Sequence, residues 1–94
     1  MTDTDLEQKL RTRSARIAVV GLGYAGLPMA VEFARAGFHC AGLDVDKSRV
    51  EAVNLGRSPV SNVEDSEIAS LRSYGRLEAH TNPAVLDGAD VAVI

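Results

Sequence analysis

The sequence predicts an α/β fold, a doubly wound parallel sheet, and three observations predict it. Short apolar runs alternate with stretches patterned at helical spacing from Arg16 onward. The first of those runs is apolar at consecutive positions, as a strand covered on both faces must be. A glycine-rich turn joins that run to the first helical stretch. At 94 residues there is room for one domain, or for part of one.

The elements follow in order. Residues 1–15, with Leu6 and Leu10 four apart, read as a short leading helix or arm, and residues 16–94 carry the sheet. Ile17-Ala18-Val19-Val20 is the first strand, stopped by Gly21. Leu27, Ala30, Val31 and Ala34 recur at i, i+3, i+4 and i+7, so a helix follows, with Pro28 in its first turn and Gly37 as its C-terminal stop. Phe38 to Leu43 is a second strand ending at Asp44, and Asp46 caps a helix from Lys47 to Leu55 with Gly56 behind it. After Ser58-Pro59, Ile68 and Leu71 with the closing Tyr74-Gly75 mark a further short helix, and Leu77 to Thr81 alternates like a strand. Asn82-Pro83 starts a turn or short helix. Asp90 to Ile94 is a last apolar strand on which the chain stops, so the sheet is expected to be truncated there.

Composition narrows the function. Ten Lys and Arg against 13 Asp and Glu leave a net charge of −3, without the basic excess that phosphate backbones attract, so no nucleic-acid partner is expected. Apolar residues at 46% and charged residues at 24% suit a packed core. The single cysteine, Cys40, excludes an internal disulfide, no Cys/His spacing suits zinc, and the acidic opening is neither a signal peptide nor a membrane span. A cytoplasmic setting without membrane attachment is the expectation.

Chemistry concentrates at Gly21-Leu22-Gly23-Tyr24-Ala25-Gly26, a G-x-G-x-x-G between strand and helix, which makes the fold Rossmann-type. Gly21 allows the tight turn, Gly23 lets a dinucleotide pyrophosphate approach the backbone, and Gly26 lets the helix pack closely. The pyrophosphate would meet the helix N-terminus, where N–H groups and the positive dipole end replace a basic side chain. The alternative is a glycine-rich turn that binds nothing. Asp44, 23 positions beyond Gly21, stands where an acid reads the adenosine ribose and repels a 2′-phosphate, which favours NAD over NADP; otherwise it only caps a turn. Arg49 either lies against the adenosine or is a solvated helix arginine.

Other candidates are structural. Cys40 reads as a small core hydrophobe, and His39 beside it points to the opposite face of the strand, so the two share no ligand. His80 has no partner acid that the sequence identifies. Arg11, Arg13 and Arg16 read as a solvated face.

Gly21-Leu22-Gly23-Tyr24-Ala25-Gly26-Leu27-Pro28, Glu32-Phe33-Ala34, Gly37-Phe38 and Leu43-Asp44-Val45-Asp46 with Arg49-Val50 together resemble the UDP-glucose/GDP-mannose dehydrogenase family. The resemblance continues through Leu55-Gly56-Arg57-Ser58-Pro59, Gly75-Arg76-Leu77 and Thr81-Asn82-Pro83 to Ala89-Asp90-Val91, and is strongest to the branch that oxidises UDP-N-acetylhexosamines, such as UDP-N-acetylglucosamine 6-dehydrogenase. It implies that NAD lies with its pyrophosphate on Gly21, Leu22, Gly23, Tyr24, Ala25 and Gly26, its ribose on Asp44 and its adenosine beside Arg49. It also implies a parent that is a homo-oligomer and oxidises the C6 alcohol of a UDP-sugar to the carboxylate with two NAD. A cysteine in a later domain carries the sugar as thiohemiacetal and thioester; Cys40 does not match it. Two positions depart from the family pattern: Ala25 replaces a usual valine, and Glu64 replaces a helix-capping serine.

On this reading residues 16–94 are an incomplete NAD-binding domain, without substrate or catalytic domains and inactive alone. The rivals are a stand-alone dinucleotide-binding regulatory module and a fragment of an NAD-dependent hydroxyacid dehydrogenase.

Overall fold

Thr4 starts the first helix. Its hydroxyl accepts the N–H of Glu7 at 3.0 Å, and α1 runs over Asp5–Thr12 with Asp5 and Glu7 in the first turn, where acids suit the positive end of the dipole. The computed structural model describes residues 4–94, so the first three residues of the expected leading helix lie outside the described residues. The helix is docked: Lys9 Nζ lies 2.8 Å from Asp90 Oδ1, while Asp90 Oδ2 accepts the Arg16 N–H at 2.8 Å.

Four strands, β1 (Arg16–Val20), β2 (His39–Leu43), β3 (Leu77–His80) and β4 (Val91–Val93), make one parallel sheet in the order β3-β2-β1-β4. Ile17 stands opposite Cys40 and Val91, and Cys40 opposite Leu77. Helix α2 (Gly26–Arg35) joins β1 to β2, and α3 (Lys47–Asn54) and α4 (Asp65–Ser73) join β2 to β3. A 3-10 helix, Pro83–Gly88, lies between β3 and β4.

Side chains on a strand alternate between faces, and here the alternation separates two environments. Ile17, Val19, Cys40, Leu77 and Ala79 enter a core with Leu27, Ala30, Val31 and Ala34 of α2, Val50 and Val53 of α3, and Ile68 and Leu71 of α4. The other face carries Ala18, Ala41 and Leu43, all buried, and the connection from β3 back to β4 crosses it. Helices on one face and a return across the other make the sheet doubly wound, and the strand order reverses between β1 and β4. In such folds ligands bind outside the carboxyl ends of the strands at this reversal.

The helix stops expected at the glycines are present. At the end of α2 the Phe38 N–H reaches the Phe33 carbonyl at 3.1 Å and the Gly37 N–H reaches Ala34 at 3.0 Å, with Gly37 at φ +104°. Phe33 and Phe38 then meet edge to face with ring centroids 6.3 Å apart, the apolar contact that accompanies this cap. Arg13 is exposed, as expected of a solvated face, and it also makes a specific contact: its Nε donates to the Ala36 carbonyl at 2.7 Å, and Arg76 donates to the Gly37 carbonyl, so two cations meet the negative end of α2. Glu64 before α4 makes no side-chain cap, consistent with its departure from the family pattern. On edge strand β3, Asn54 donates to the Ala79 carbonyl at 2.9 Å and accepts its N–H at 3.0 Å, covering backbone groups that an edge leaves unpaired.

Candidate functional site

The glycine loop begins where β1 ends. The Gly21 N–H donates to the Leu43 carbonyl at 2.7 Å, and Gly21 turns the chain at φ +94°, a region in which a side chain would be strained. Gly26 opens α2, and a Cβ there would collide with the Gly21 carbonyl oxygen, so the third glycine is required by the loop's own backbone as well as by Val19 beneath it. A Cβ at Gly23 would meet nothing nearer than Arg49 Nη1 at 3.8 Å, which leaves that backbone open to a ligand. Among the described residues the N–H groups of Gly23, Tyr24 and Ala25 make no backbone hydrogen bond, and Ala25, the N-cap of α2, supplies no side-chain cap. Donors without acceptors at a helix N-terminus suit an anion.

Leu22 works differently from its neighbours. Its side chain is fully buried, and its tip fills the space that a Cβ at Gly42 would need. Its N–H donates to Asp44 Oδ2 at 2.8 Å, so it is committed within the protein. Asp44 Oδ1 accepts the Asp46 N–H at 2.9 Å, and Arg49 Nη1 stands 3.4 Å from Asp44 Oδ2. Asp44 is only 7% exposed. Burial pushes its carboxyl up, but the hydrogen bonds from Asp46, Leu22 and Arg49 outweigh it and hold the group below the usual carboxylate range. Asp46 is the cap of α3, accepting from the Ser48 N–H at 2.9 Å, which leaves Asp44 to join the end of β2 to the glycine loop.

Two cavities flank this junction. One of about 210 Å³ opens beside Asp44, between Val20, Leu43, Thr81 and Pro83. The other, of about 390 Å³, lies across the strand reversal against the glycine loop, walled by Val19, Met29, Val93 and Ile94. The structure therefore brings together every residue that the motif singled out, with Asp44 and Arg49, on one edge of the sheet. It adds residues that the sequence reading missed. Asn62 donates to the Tyr24 carbonyl at 3.0 Å, and the Ser61 and Tyr24 hydroxyls are 3.3 Å apart. No local pattern marks them, because their partner is 38 positions away for Asn62 and 37 for Ser61.

The remaining candidates fall outside this edge. Cys40 is buried in the core, and burial pushes its thiol up to about 12. His39 is on the opposite face. His80 does have a partner acid: its Nε2 is 2.9 Å from Glu78 Oε1, and His39 Nε2 is 3.5 Å from Glu78 Oε2. The i, i+2 spacing of Glu78 and His80 on one strand face was the signal for that pair. Among the described residues no group of three or more His, Cys, Asp or Glu is placed to hold a metal, and no helix is long and apolar enough to cross a membrane.

A glycine loop leading into a helix N-terminus, with a buried acid at the end of the neighbouring strand, on a doubly wound sheet is the arrangement of a dinucleotide-binding unit. Residues 15–94 match the model of the UDP-glucose/GDP-mannose dehydrogenase family, NAD binding domain. The chain belongs to that family and is its NAD-binding part. A UDP-N-acetyl-D-mannosamine dehydrogenase of Pyrococcus horikoshii is 35% identical over 80 residues, covering 84% of this chain and 19% of that protein. An NDP-N-acetyl-D-galactosaminuronic acid dehydrogenase of Ralstonia nicotianae is 36% identical over 78 residues, covering 82% of this chain and 18% of the relative. Among solved structures, a ternary complex of GDP-mannose dehydrogenase from Pseudomonas aeruginosa superposes with a TM-score of 0.73 at 34% identity, over 82% of this chain and 18% of that one. The chain spans about a fifth of the length of the curated relatives it matches.

Proposed function

We propose that this chain holds NAD across the carboxyl edge of its sheet, as the cofactor-binding part of a dehydrogenase that oxidises the C6 alcohol of a UDP-sugar, a UDP-N-acetylhexosamine, to the carboxylate with two NAD. The adenosine ribose sits on Asp44 with Arg49 beside the base, and the pyrophosphate sits against Gly21 to Gly26, taken by the open N–H groups of Gly23, Tyr24 and Ala25. Bound NAD supplies the hydride acceptor; the chain's own residues bind and orient it. Cys40, buried and with its thiol pushed up to about 12, is not a nucleophile for this reaction. The sugar site, the catalytic cysteine and the homo-oligomeric assembly belong to the longer protein, and its setting is the cytoplasm. Relatives named for UDP-N-acetyl-D-mannosamine and NDP-N-acetyl-D-galactosaminuronic acid support the N-acetylated sugar class.

The observation that carries this reading is the Asp44 carboxylate, buried, ionised and tied to the loop through the Leu22 N–H. A fixed negative charge at the ribose edge repels a 2′-phosphate. Titration calorimetry is expected to show NAD binding at least tenfold tighter than NADP, a gap of about 1.4 kcal/mol, and Asp44→Ala is expected to narrow it. Equal affinities in the wild-type chain would remove Asp44 from ribose recognition.

A further inference from the structure

The loop between α3 and α4 touches the glycine loop at one backbone atom. Asn62 Nδ2 donates to the Tyr24 carbonyl at 3.0 Å, and Tyr24 is the residue before the N-cap of α2. In a trans peptide the carbonyl and the following N–H point in opposite directions, and among the described residues there are no cis bonds. Fixing the Tyr24 carbonyl therefore fixes the Ala25 N–H, which is on the far side of the same peptide plane and makes no backbone bond among the described residues. Among the described residues no other hydrogen bond anchors this peptide from the carbonyl side. Tyr24 is 65% exposed, and its hydroxyl is held only at 3.3 Å by Ser61, the neighbour of Asn62.

We propose that Asn62 is a positioning residue for pyrophosphate: by holding the Tyr24 carbonyl, it turns the Ala25 N–H toward the dinucleotide phosphates at the start of α2. This rests on the cofactor reading above and adds a second element, the α3–α4 loop, to the phosphate site. A donor already aimed at the anion avoids the ordering cost that a loosely held peptide would incur on binding. The effect is specific to ligands carrying phosphate, since adenosine reaches Asp44 and its cavity without meeting the Tyr24–Ala25 peptide.

The test uses the full 94-residue chain, wild type and Asn62→Ala, titrated with adenosine, ADP and NAD by amide-detected NMR. In the wild type, the Ala25 amide is expected to shift downfield with ADP and NAD and to stay in place with adenosine. In Asn62→Ala, affinity for ADP and NAD is expected to fall about three- to tenfold, the range of one neutral hydrogen bond, while adenosine affinity holds and the Ala25 shift shrinks. Asn62→Gln, which keeps an amide donor on a longer arm, is expected to recover part of the loss. Equal ADP affinity in wild type and Asn62→Ala would overturn the proposal, as would a matching loss of adenosine and ADP, which marks a purely structural role. A wild-type chain that binds none of the three ligands would instead overturn the cofactor reading itself.

Discussion

The two ends of the carboxyl edge of the sheet are built from different materials. Between β1 and β2 the contacts are polar and directional: Asp44 accepts from Leu22 and Asp46 and faces Arg49, and Gly26 packs against the Gly21 backbone. Between β1 and β4 the wall is hydrocarbon, with Val93 half-buried, Met29 at 42% exposure and Ile94 at 100%. The first end can fix the orientation of a ligand; the second offers area without direction. On the cofactor reading proposed above, this contrast assigns recognition of the dinucleotide to its ADP half.

The sharpest way to break that contrast is to spoil the polar end. Gly26→Val forces a Cβ into the Gly21 carbonyl, and because both partners are backbone no rotamer relieves it. Denaturant melts are expected to show a loss of about 3 kcal/mol, with no measurable ADP binding. Unchanged stability would mean that the loop does not close on Gly26 as described.

Next in size is the division of affinity between the two halves of the ligand. ADP is expected to bind within about threefold of NAD, whose dissociation constant should lie nearer about 1 mM than about 1 μM. Nicotinamide mononucleotide is expected to show no saturation in the same calorimetric titration. Mononucleotide binding as tight as ADP would reverse the comparison.

The smallest effect is a matter of pH. Asp44 is held below the usual carboxylate range in the folded chain, so the unfolded chain binds its proton at higher pH. Its stabilisation is then complete above the unfolded value of about 3.9 and is lost as pH falls through the lower folded value. Carboxyl-carbon NMR should place the Asp44 titration below that of an ordinary aspartate. Stability should also fall more steeply below about pH 4 in the wild type than in Asp44→Asn. A titration above the ordinary value would mean that burial outweighs the three hydrogen bonds.

Much of this edge is readable along the chain. The apolar run from Ile17 to Val20, the stops at Gly37, Gly56 and Gly75, and the cap at Asp46 are local events. Each depends on backbone sterics or on partners within five residues, so the amino-acid order alone specifies them. The spacing from Gly21 to Asp44 is readable for a related reason, since one strand-helix-strand unit has a nearly constant length. Arg13, His80 and Asn62 were not assigned in this way. Arg13 and Asn62 meet carbonyls 23 and 38 positions away, at Ala36 and Tyr24, and the periodicity of neither segment encodes those meetings.

By itself, then, the sequence determined the order of strands and helices, the position of the glycine turn and the acid at the end of the second strand, because these follow from backbone conformation and the repeat length of one unit. Only the tertiary structure decided that Asp44 is wired to the Leu22 N–H, that Leu22 fills the space left by Gly42, that Lys9 holds α1 to Asp90, and that Asn62 grips the glycine loop. The physical reason is that sheet register and helix packing bring these groups together through the combined burial of the core. No local rule of chain geometry refers to residues so far apart.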